Sequence, residues 1–271
     1  MAAIETFPIR LSRTVIPAGP GARFFSFTVT RRSRDNVRIT KTGILPVDSR
    51  GLSILIADDH PLFRSALQQV IAQLYPRAEL YEAANVAELQ AQAELHRGTG
   101  LLLLDLHMPG ALGYSALSWF TGQYPNTPVI MISANSHPDT VRRAIDHGAA
   151  GFLSKSTDVS VMASCIEQVM AGKRGLHPGL DAAGKGASLQ SLDVADALAS
   201  LTPQQFRVVS MLSEGLLNKQ IAYELDVKEA TIKAHMTEIF RKLGVHSRTQ
   251  AVLALGSLAV EPPQALVDPP P

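Results

Sequence analysis

The stretch Leu101–Pro109, LLLLDLHMP, constrains this chain more than any other. Four consecutive leucines between Gly100 and Asp105 describe a strand buried on both faces, because a half-exposed strand alternates apolar with polar residues. Such a strand sits inside a parallel sheet with helices on both sides. It ends on one carboxylate, Asp105, and in open parallel sheets chemistry collects just beyond the C-terminal strand ends. Two readings of Asp105 stand at this point. It caps a turn, as Asp often does, or it is a rigidly held nucleophile or metal ligand.

The flanking sequence supplies the rest of that sheet. SILIA (Ser53–Ala57) reads as a buried strand, followed by Asp58-Asp59-His60-Pro61 with the proline at the first turn of a helix marked by Leu62, Ala66, Val70 and Leu74. Then come strand 78–83, helix 86–96, strand 101–105, a helix around 114–123, strand 128–133, helix 139–146, strand 151–155 and helix 159–171. Five strands alternating with helices predict a doubly wound α/β domain with a five-stranded parallel sheet over residues 52–172.

Composition limits what surrounds it. The chain has 46% apolar residues and a single cysteine, Cys165, which rules out an internal disulfide and suits a reducing cytoplasm. No run approaches the roughly 18 apolar residues of a membrane span. Residues 1–50 carry 9 Lys/Arg against 3 Asp/Glu, residues 51–172 carry 6 against 11, and residues 201–256 carry 7 against 5, so the acidic middle and the basic C-terminal part face different partners. Residues 1–51 are expected to be a disordered leader, or to precede a true start near Val47. FFSFTVT (Phe24–Thr30) has strand character, but no strand partner is evident nearby. Residues 173–196, rich in Gly, Ala, Ser and Leu, read as a flexible linker whose end turns helical near Leu192, and the tail 262–271 is too proline-rich to pack.

A parallel sheet brings Asp58, Asp59, Asp105, Ser133 and Lys155 to one edge. Three carboxylates together repel one another unless a cation joins them. All-oxygen donors suit Mg²⁺, held by Asp59, Asp105 and the backbone carbonyl of His107, with Asp58 reaching it through water. Lys155 and the metal neutralise an incoming phosphoryl group, Asp105 attacks its phosphorus, and Ser133 hydrogen-bonds a phosphate oxygen. His60 and His107 are expected to be bystanders in this chemistry, since a zinc site needs three or four committed ligands.

The ordered set ILIADDHPLFR, LLLLDLHMPG, VIMISA and GAAGFLSK in this alternating frame resembles the receiver domain of bacterial two-component response regulators. The resemblance implies that Asp105 is the phosphoacceptor and that Phe152 stands at the position of the switch aromatic that moves with Ser133. Serine replaces the commoner threonine and phenylalanine the commoner tyrosine, so the phenolic hydroxyl contact is missing.

The C-terminal part has its own signals. Thr202-Pro203-Gln204-Gln205 writes an N-cap, a proline at the first helical position and a capping box; Phe206, Val209 and Leu212 form a buried stripe, and Gly215 ends the helix. Asn218 caps a second helix, 219–225, and a tight turn leads to a third, 229–243, closed by Gly244. Two short helices joined by a tight turn fit a helix-turn-helix. Ile232, Met236, Ile239 and Leu243 face inward, which turns Thr231, Lys233, Ala234, Thr237, Arg241 and Lys242 mostly outward. Asn218 and Lys219 at a helix start suit a DNA phosphate, while Lys233, Ala234 and Thr237 suit base edges in the major groove. A small helical bundle with a solvated basic face remains the alternative.

Residues 197–261 resemble the LuxR-type DNA-binding domain, and joined to a receiver this is the NarL/FixJ arrangement. That resemblance implies a sensor histidine kinase as phosphodonor, double-stranded DNA as ligand, and a homodimer formed through a final helix near 248–255. It also implies that the unphosphorylated receiver masks the recognition helix, and that Arg241 and Lys242 contact phosphate. Lys228 stands where serine or threonine is the usual cap. The expected function is therefore a cytoplasmic, non-enzymatic transcription regulator switched at Asp105. The alternatives are a phosphorylation-independent LuxR-type factor, a Mg²⁺-dependent phosphatase, which would need an acid and a cap that are missing, and a protein-binding relay.

Overall fold

A computed structural model describes residues 10–17, 23–32, 38–45 and 51–260. Strands β1 (Arg10–Pro17), β2 (Arg23–Arg32) and β3 (Arg38–Leu45) form an antiparallel sheet in that order. This departs from the expected unstructured leader. FFSFTVT lies in β2 with a partner on each edge, Phe27 standing opposite Arg13 and Gly43. The partners were missed because β1 and β3 show no apolar alternation, although Thr14, Val15, Ile16, Ile39, Thr40, Thr42 and Ile44 are β-branched and favour strands. The expected start near Val47 and the proline-rich tail 262–271 lie outside the described residues.

The second unit follows the alternation read from the sequence. Its elements are β4 (Ser53–Ala57), α1 (Pro61–Leu74), β5 (Glu79–Ala83), α2 (Val86–Leu95), β6 (Leu101–Asp105), α3 (Ser115–Gln123), β7 (Val129–Ser133), α4 (Pro138–Asp146), β8 (Gly151–Ser154) and α5 (Val159–Met170). The five strands run parallel in the order β5-β4-β6-β7-β8. Every residue of β6 and β7 is buried. Successive side chains along these strands feed opposite faces: Ile54, Ile56, Leu103 and Ile132 pack with α1 and α5, whereas Leu55, Leu102, Leu104 and Met131 face α2 to α4. Cys165 belongs to the first of these cores, where burial pushes its thiol up to about 11 and leaves it inert.

The last unit comprises α6 (Leu189–Ala199), α7 (Pro203–Ser213), α8 (Asn218–Glu224), α9 (Glu229–Leu243) and α10 (Arg248–Gly256). The capping box at Thr202 forms as expected, with Gln205 N–H on Thr202 Oγ1 at 3.2 Å and Thr202 N–H on Gln205 Oε1 at 3.1 Å. Asn218 is the first helical residue rather than the cap; Leu217 takes the cap position, its N–H donating to Gln220 Oε1 at 2.7 Å. The connection 173–196 is more ordered than its composition implies. Leu176 bridges to β8, with Phe152 N–H on Leu176 O at 2.7 Å, and α6 starts at Leu189 because Ser188 Oγ caps Ser191 N–H at 3.1 Å.

The core between the sheet and α2–α4 does not stop at the domain boundary. It continues through Leu198, Leu201, Phe206, Leu212 and Leu258 of the C-terminal unit. At the junction the Trp119 ring stacks on Phe206 with centroids 5.0 Å apart, and both side chains are fully buried.

Candidate functional site

The sheet brings together the residues that the sequence singled out. Asp58 and Asp59 follow β4, Asp105 ends β6, Ser133 ends β7, and Lys155 follows β8. Asp58 and Asp105 are buried, while Asp59 is one-third exposed at its side chain. Lys155 Nζ lies 2.8 Å from Asp58 Oδ2 and 3.1 Å from Asp105 Oδ2. The ammonium also stands over the Phe63 ring, 5.1 Å from its centroid.

Lys155 bridges the two buried carboxylates, and burial and charge displace the titration of Asp105 and of Lys155. Burial, then the charge of Asp58, raise the Asp105 carboxyl above its usual 3.8, outweighing the opposing pull of Lys155 and the His107 amide. Burial pulls Lys155 down, but its bonds to Asp58 and Asp105 outweigh that and hold it above 10.5. Among the described residues Asp105 Oδ1 is buried with no hydrogen-bond partner, Asp58 Oδ2 lies against the Lys155 ammonium, and Asp59 Oδ1 lies against the His60 ring. Ligand atoms of Asp58, Asp59, His60 and Asp105 all lie within 4.8 Å of one another. Orphaned oxygens converging in this way fit a divalent cation.

Two residues at this site went unassigned in the sequence. His60, expected only to start α1, does precede that helix, but its Nδ1 also lies 2.5 Å from Asp59 Oδ1 and 3.2 Å from Lys155 Nζ. Arg64 donates to the backbone carbonyl of Asp58 at 2.6 Å and to Glu82 at 2.9 Å, which fixes the loop that carries both acidic residues. The available signal was the position of Arg64 one turn into α1, directly after the acidic pair. His107 is exposed and offers only its backbone to the pocket. Ser133 is fully buried, its Oγ accepting from Asn135 N–H at 3.0 Å, and Phe152 is also fully buried.

In the C-terminal unit α8 and α9 meet through a short turn at Asp226, whose φ is 49°. Ile232, Met236 and Ile239 are buried, and Thr231, Lys233, Ala234, Thr237 and Arg241 are exposed on the opposite side of α9. Lys219 is exposed and Asn218 half-buried at the start of α8. Lys242 behaves differently from its neighbours: its ammonium donates to Ser200 O at 2.6 Å and to Gln205 Oε1 at 2.9 Å, inside the domain. Arg241 is held by Glu238, with its guanidinium nitrogens 2.9 and 3.0 Å from one carboxylate oxygen.

Comparison with known proteins agrees with this two-part organisation. Residues 54–167 match the family model described as the response regulator receiver domain, and residues 199–255 match that of the bacterial regulatory proteins of the luxR family. The chain is 39% identical over 210 residues to the glycerol metabolism activator of Pseudomonas putida, covering 76% of this chain and 95% of that protein. It is 30% identical over 203 residues to the nitrate/nitrite response regulator NarL of Escherichia coli K12, covering 74% and 93%. Among solved structures, the RcsB response regulator of Salmonella typhimurium matches at 19% identity with a TM-score of 0.44, covering 75% of this chain and 97% of that one.

Proposed function

The chain belongs to the two-component response regulators that join a receiver to a LuxR-type DNA-binding domain, and on that premise we propose that Asp105 accepts the phosphoryl group that switches it. The observation that carries this reading is the unpaired Asp105 Oδ1, buried at the end of β6 beside the Lys155 ammonium.

A carboxylate with one free oxygen and one held by a cation is oriented for in-line attack at phosphorus. The Asp105 oxygen forms the new O–P bond while the bond from phosphorus to the donor breaks. The donor is a phosphohistidine of a sensor kinase, and its imidazole nitrogen leaves with the bonding electron pair. Lys155 is placed to balance charge on the transferred group, and the Ser133 hydroxyl, whose oxygen accepts from Asn135 N–H, keeps its own proton to donate to a phosphoryl oxygen. Asp58, Asp59 and Asp105 would hold Mg²⁺ with the His107 backbone carbonyl, and the ion, when bound, offsets negative charge on the phosphoryl oxygens. Arg64 acts indirectly, by keeping the Asp58 carbonyl in place.

The DNA-facing group comprises Thr231, Lys233, Ala234, Thr237 and Arg241 on α9, with Asn218 and Lys219 at the start of α8 supplying phosphate contacts. Lys242 contributes from within the domain, by tying α9 to Ser200 before α7 and to Gln205 in its first turn. A second copy binding along α10 would form the dimer. Among the described residues no helix is long and apolar enough to cross a membrane, and work in the cytoplasm fits the single reduced cysteine.

The test is incubation with acetyl phosphate and Mg²⁺, followed by intact mass. One added phosphoryl group that disappears in Asp105→Asn supports the assignment. Equal modification of the Asn variant refutes it and points to another acceptor.

A further inference from the structure

His60 is kept out of α1 by its neighbour. Proline disfavours a helical backbone at the residue before it, and His60, directly ahead of Pro61, is extended with φ −90° and ψ 105°. Its N–H donates to Asp58 Oδ1 at 2.8 Å, which turns the Asp58–His60 segment back on itself and brings the ring over the acidic pocket. There the imidazole Nδ1 stands 2.5 Å from Asp59 Oδ1 and 3.3 Å from Asp58 Oδ1. The side chain is still 65% exposed, so burial of apolar surface does not account for its position.

The expectation that His60 is a bystander turns on the number of committed ligands, and the fold supplies four. Asp58, Asp59 and His60 follow β4, Asp105 ends β6, and their ligand atoms all lie within 4.8 Å of one another. The 3.3 Å between His60 Nδ1 and Asp58 Oδ1 matches the edge of a tetrahedron whose bonds are about 2.0–2.1 Å, the length of zinc bonds to imidazole and carboxylate. Two observations outside the histidine also point to a cation. Asp105 is only 3% exposed, and its Oδ1 has no hydrogen-bond partner among the described residues. A positive charge already stands at the convergence: the Lys155 ammonium lies 2.8 Å from Asp58 Oδ2, 3.1 Å from Asp105 Oδ2 and 3.2 Å from His60 Nδ1.

The imidazole nitrogen divides the divalent cations. Mg²⁺ prefers oxygen and keeps several waters, whereas zinc takes imidazole and carboxylate together and binds mixed nitrogen and oxygen sites more tightly. We propose that His60 is a metal ligand, and that with Asp58, Asp59 and Asp105 it makes the pocket a zinc site that competes with Mg²⁺. The ion takes the place of the Lys155 ammonium, whose flexible stem lets it swing aside. Coordination number sets the consequence. Mg²⁺ with its waters leaves room for a phosphoryl oxygen, but zinc held by four protein groups is closed and commits Asp105, so zinc keeps the receiver unphosphorylated. The zinc site stands on the placement of His60; its effect on phosphorylation rests on the reading of Asp105 as phosphoacceptor.

The experiment uses the full chain stripped of metal by a chelator. Parent, Asp105→Asn and His60→Asn, which retains a good residue for the start of α1, are titrated with Zn²⁺ against a chromogenic indicator and with Mg²⁺ by calorimetry. One zinc per parent chain is expected, with affinity lowered about tenfold or more in both variants. The Mg²⁺ affinity of His60→Asn is expected to stay within about threefold of the parent, because Mg²⁺ takes oxygen. Equal zinc affinity in parent and His60→Asn overturns the proposal, and so does zinc binding untouched by Asp105→Asn, which places the ion elsewhere. Equal losses of zinc and Mg²⁺ affinity in His60→Asn overturn the selectivity and leave His60 a structural residue of the loop. Phosphorylation by acetyl phosphate with Mg²⁺, read by intact mass, is expected to be suppressed by one equivalent of Zn²⁺ in the parent and far less in His60→Asn. Suppression absent in the parent overturns the competition. No phosphorylation of the parent with Mg²⁺ alone is the failure of the phosphoacceptor reading instead, and the metal titrations then decide the zinc site by themselves.

Discussion

Gln90 and Arg207 share a hydrogen bond of 3.0 Å across the two domains, from the guanidinium Nε to the amide Oε1. The other end of the Gln90 amide donates to Pro203 O at 3.1 Å, and the side chain is fully buried. A polar group placed there is tolerated only while the C-terminal domain supplies both partners. Gln90→Leu leaves the Arg207 donor and the Pro203 acceptor unpaired, which costs about 1–3 kcal/mol of docking. Calorimetry is expected to split one unfolding transition into two, with the C-terminal domain melting first. A single transition at the parental temperature would contradict the role assigned to this pair.

The acidic pocket makes a prediction of opposite sign. Asp105 has a folded pKa above its usual 3.8, through burial and the charge of Asp58. A carboxyl raised on folding contributes its stability in full below the unfolded pKa, and that contribution is lost as pH rises through the folded value. Near neutral pH, Asp105 is ionised at a cost. Asp105→Asn is therefore expected to stabilise the metal-free protein at neutral pH, with the gain shrinking as pH falls through the folded value. Added Mg²⁺ is expected to raise the melting temperature of the parent more than that of the variant. Equal Mg²⁺ effects on the two would remove Asp105 from the metal site.

The relation between sequence and structure differs element by element. Asp58, Asp59, Asp105, Ser133 and Lys155 were legible because a parallel sheet with continuous apolar strands sends every strand end to the same edge. Capping at Thr202 was legible because it is local chemistry. Gln90, Gly113 and Gly122 were not, since each is explained by a segment far away in the chain: Arg207, Leu258 and Ala199. Helical periodicity marks a glutamine as solvent-facing and gives no hint that another domain will cover it. Lys242 reads as an outward basic residue by spacing, yet its flexible stem carries the ammonium back to Ser200 and Gln205. Of the strands in the first 50 residues, β2 shows its alternation at Phe25, Phe27 and Val29, whereas β1 and β3 lack the alternation that flags a one-sided sheet.

His147 sets the acid limit of the fold. The ring is buried beside Tyr114, with centroids 4.9 Å apart, and neither ring nitrogen has a partner. Burial, followed by the charge of Arg143, lowers its pKa from 6.5 to about 4 against the opposing pull of Asp146. A depressed histidine stays neutral in the fold while the unfolded chain takes up a proton, so stability is lost as pH falls from about 6.5 toward 4. Allowing for partial solvent screening, the loss reaches about 2 kcal/mol. His147→Phe keeps the stack, removes two unpaired nitrogens, and is expected to be more stable by about 1 kcal/mol and to flatten this acid limb. Thermal melts between pH 7 and pH 4 decide it, and an unchanged slope in the variant would move the limb to another group.

Lys233 and Lys242 are both basic residues of α9, and the structure gives them different work. Among the described residues Lys233 pairs only with Glu229, one turn away, at 3.0 Å on an exposed face, so its charge can neutralise a DNA phosphate at little structural cost. Lys242 is spent on Ser200 O and Gln205 Oε1. Lys233→Ala is expected to reduce the slope of log K against log salt by about one unit, with a stability change below about 0.5 kcal/mol. Lys242→Ala is expected to leave that slope nearly unchanged and to destabilise the C-terminal domain by about 1–2 kcal/mol, because a carbonyl and an amide oxygen lose their donor. Fluorescence anisotropy across a salt series, run beside thermal melts of both variants, separates the two roles. A shallower slope for Lys242→Ala at parental stability would return that residue to the DNA surface.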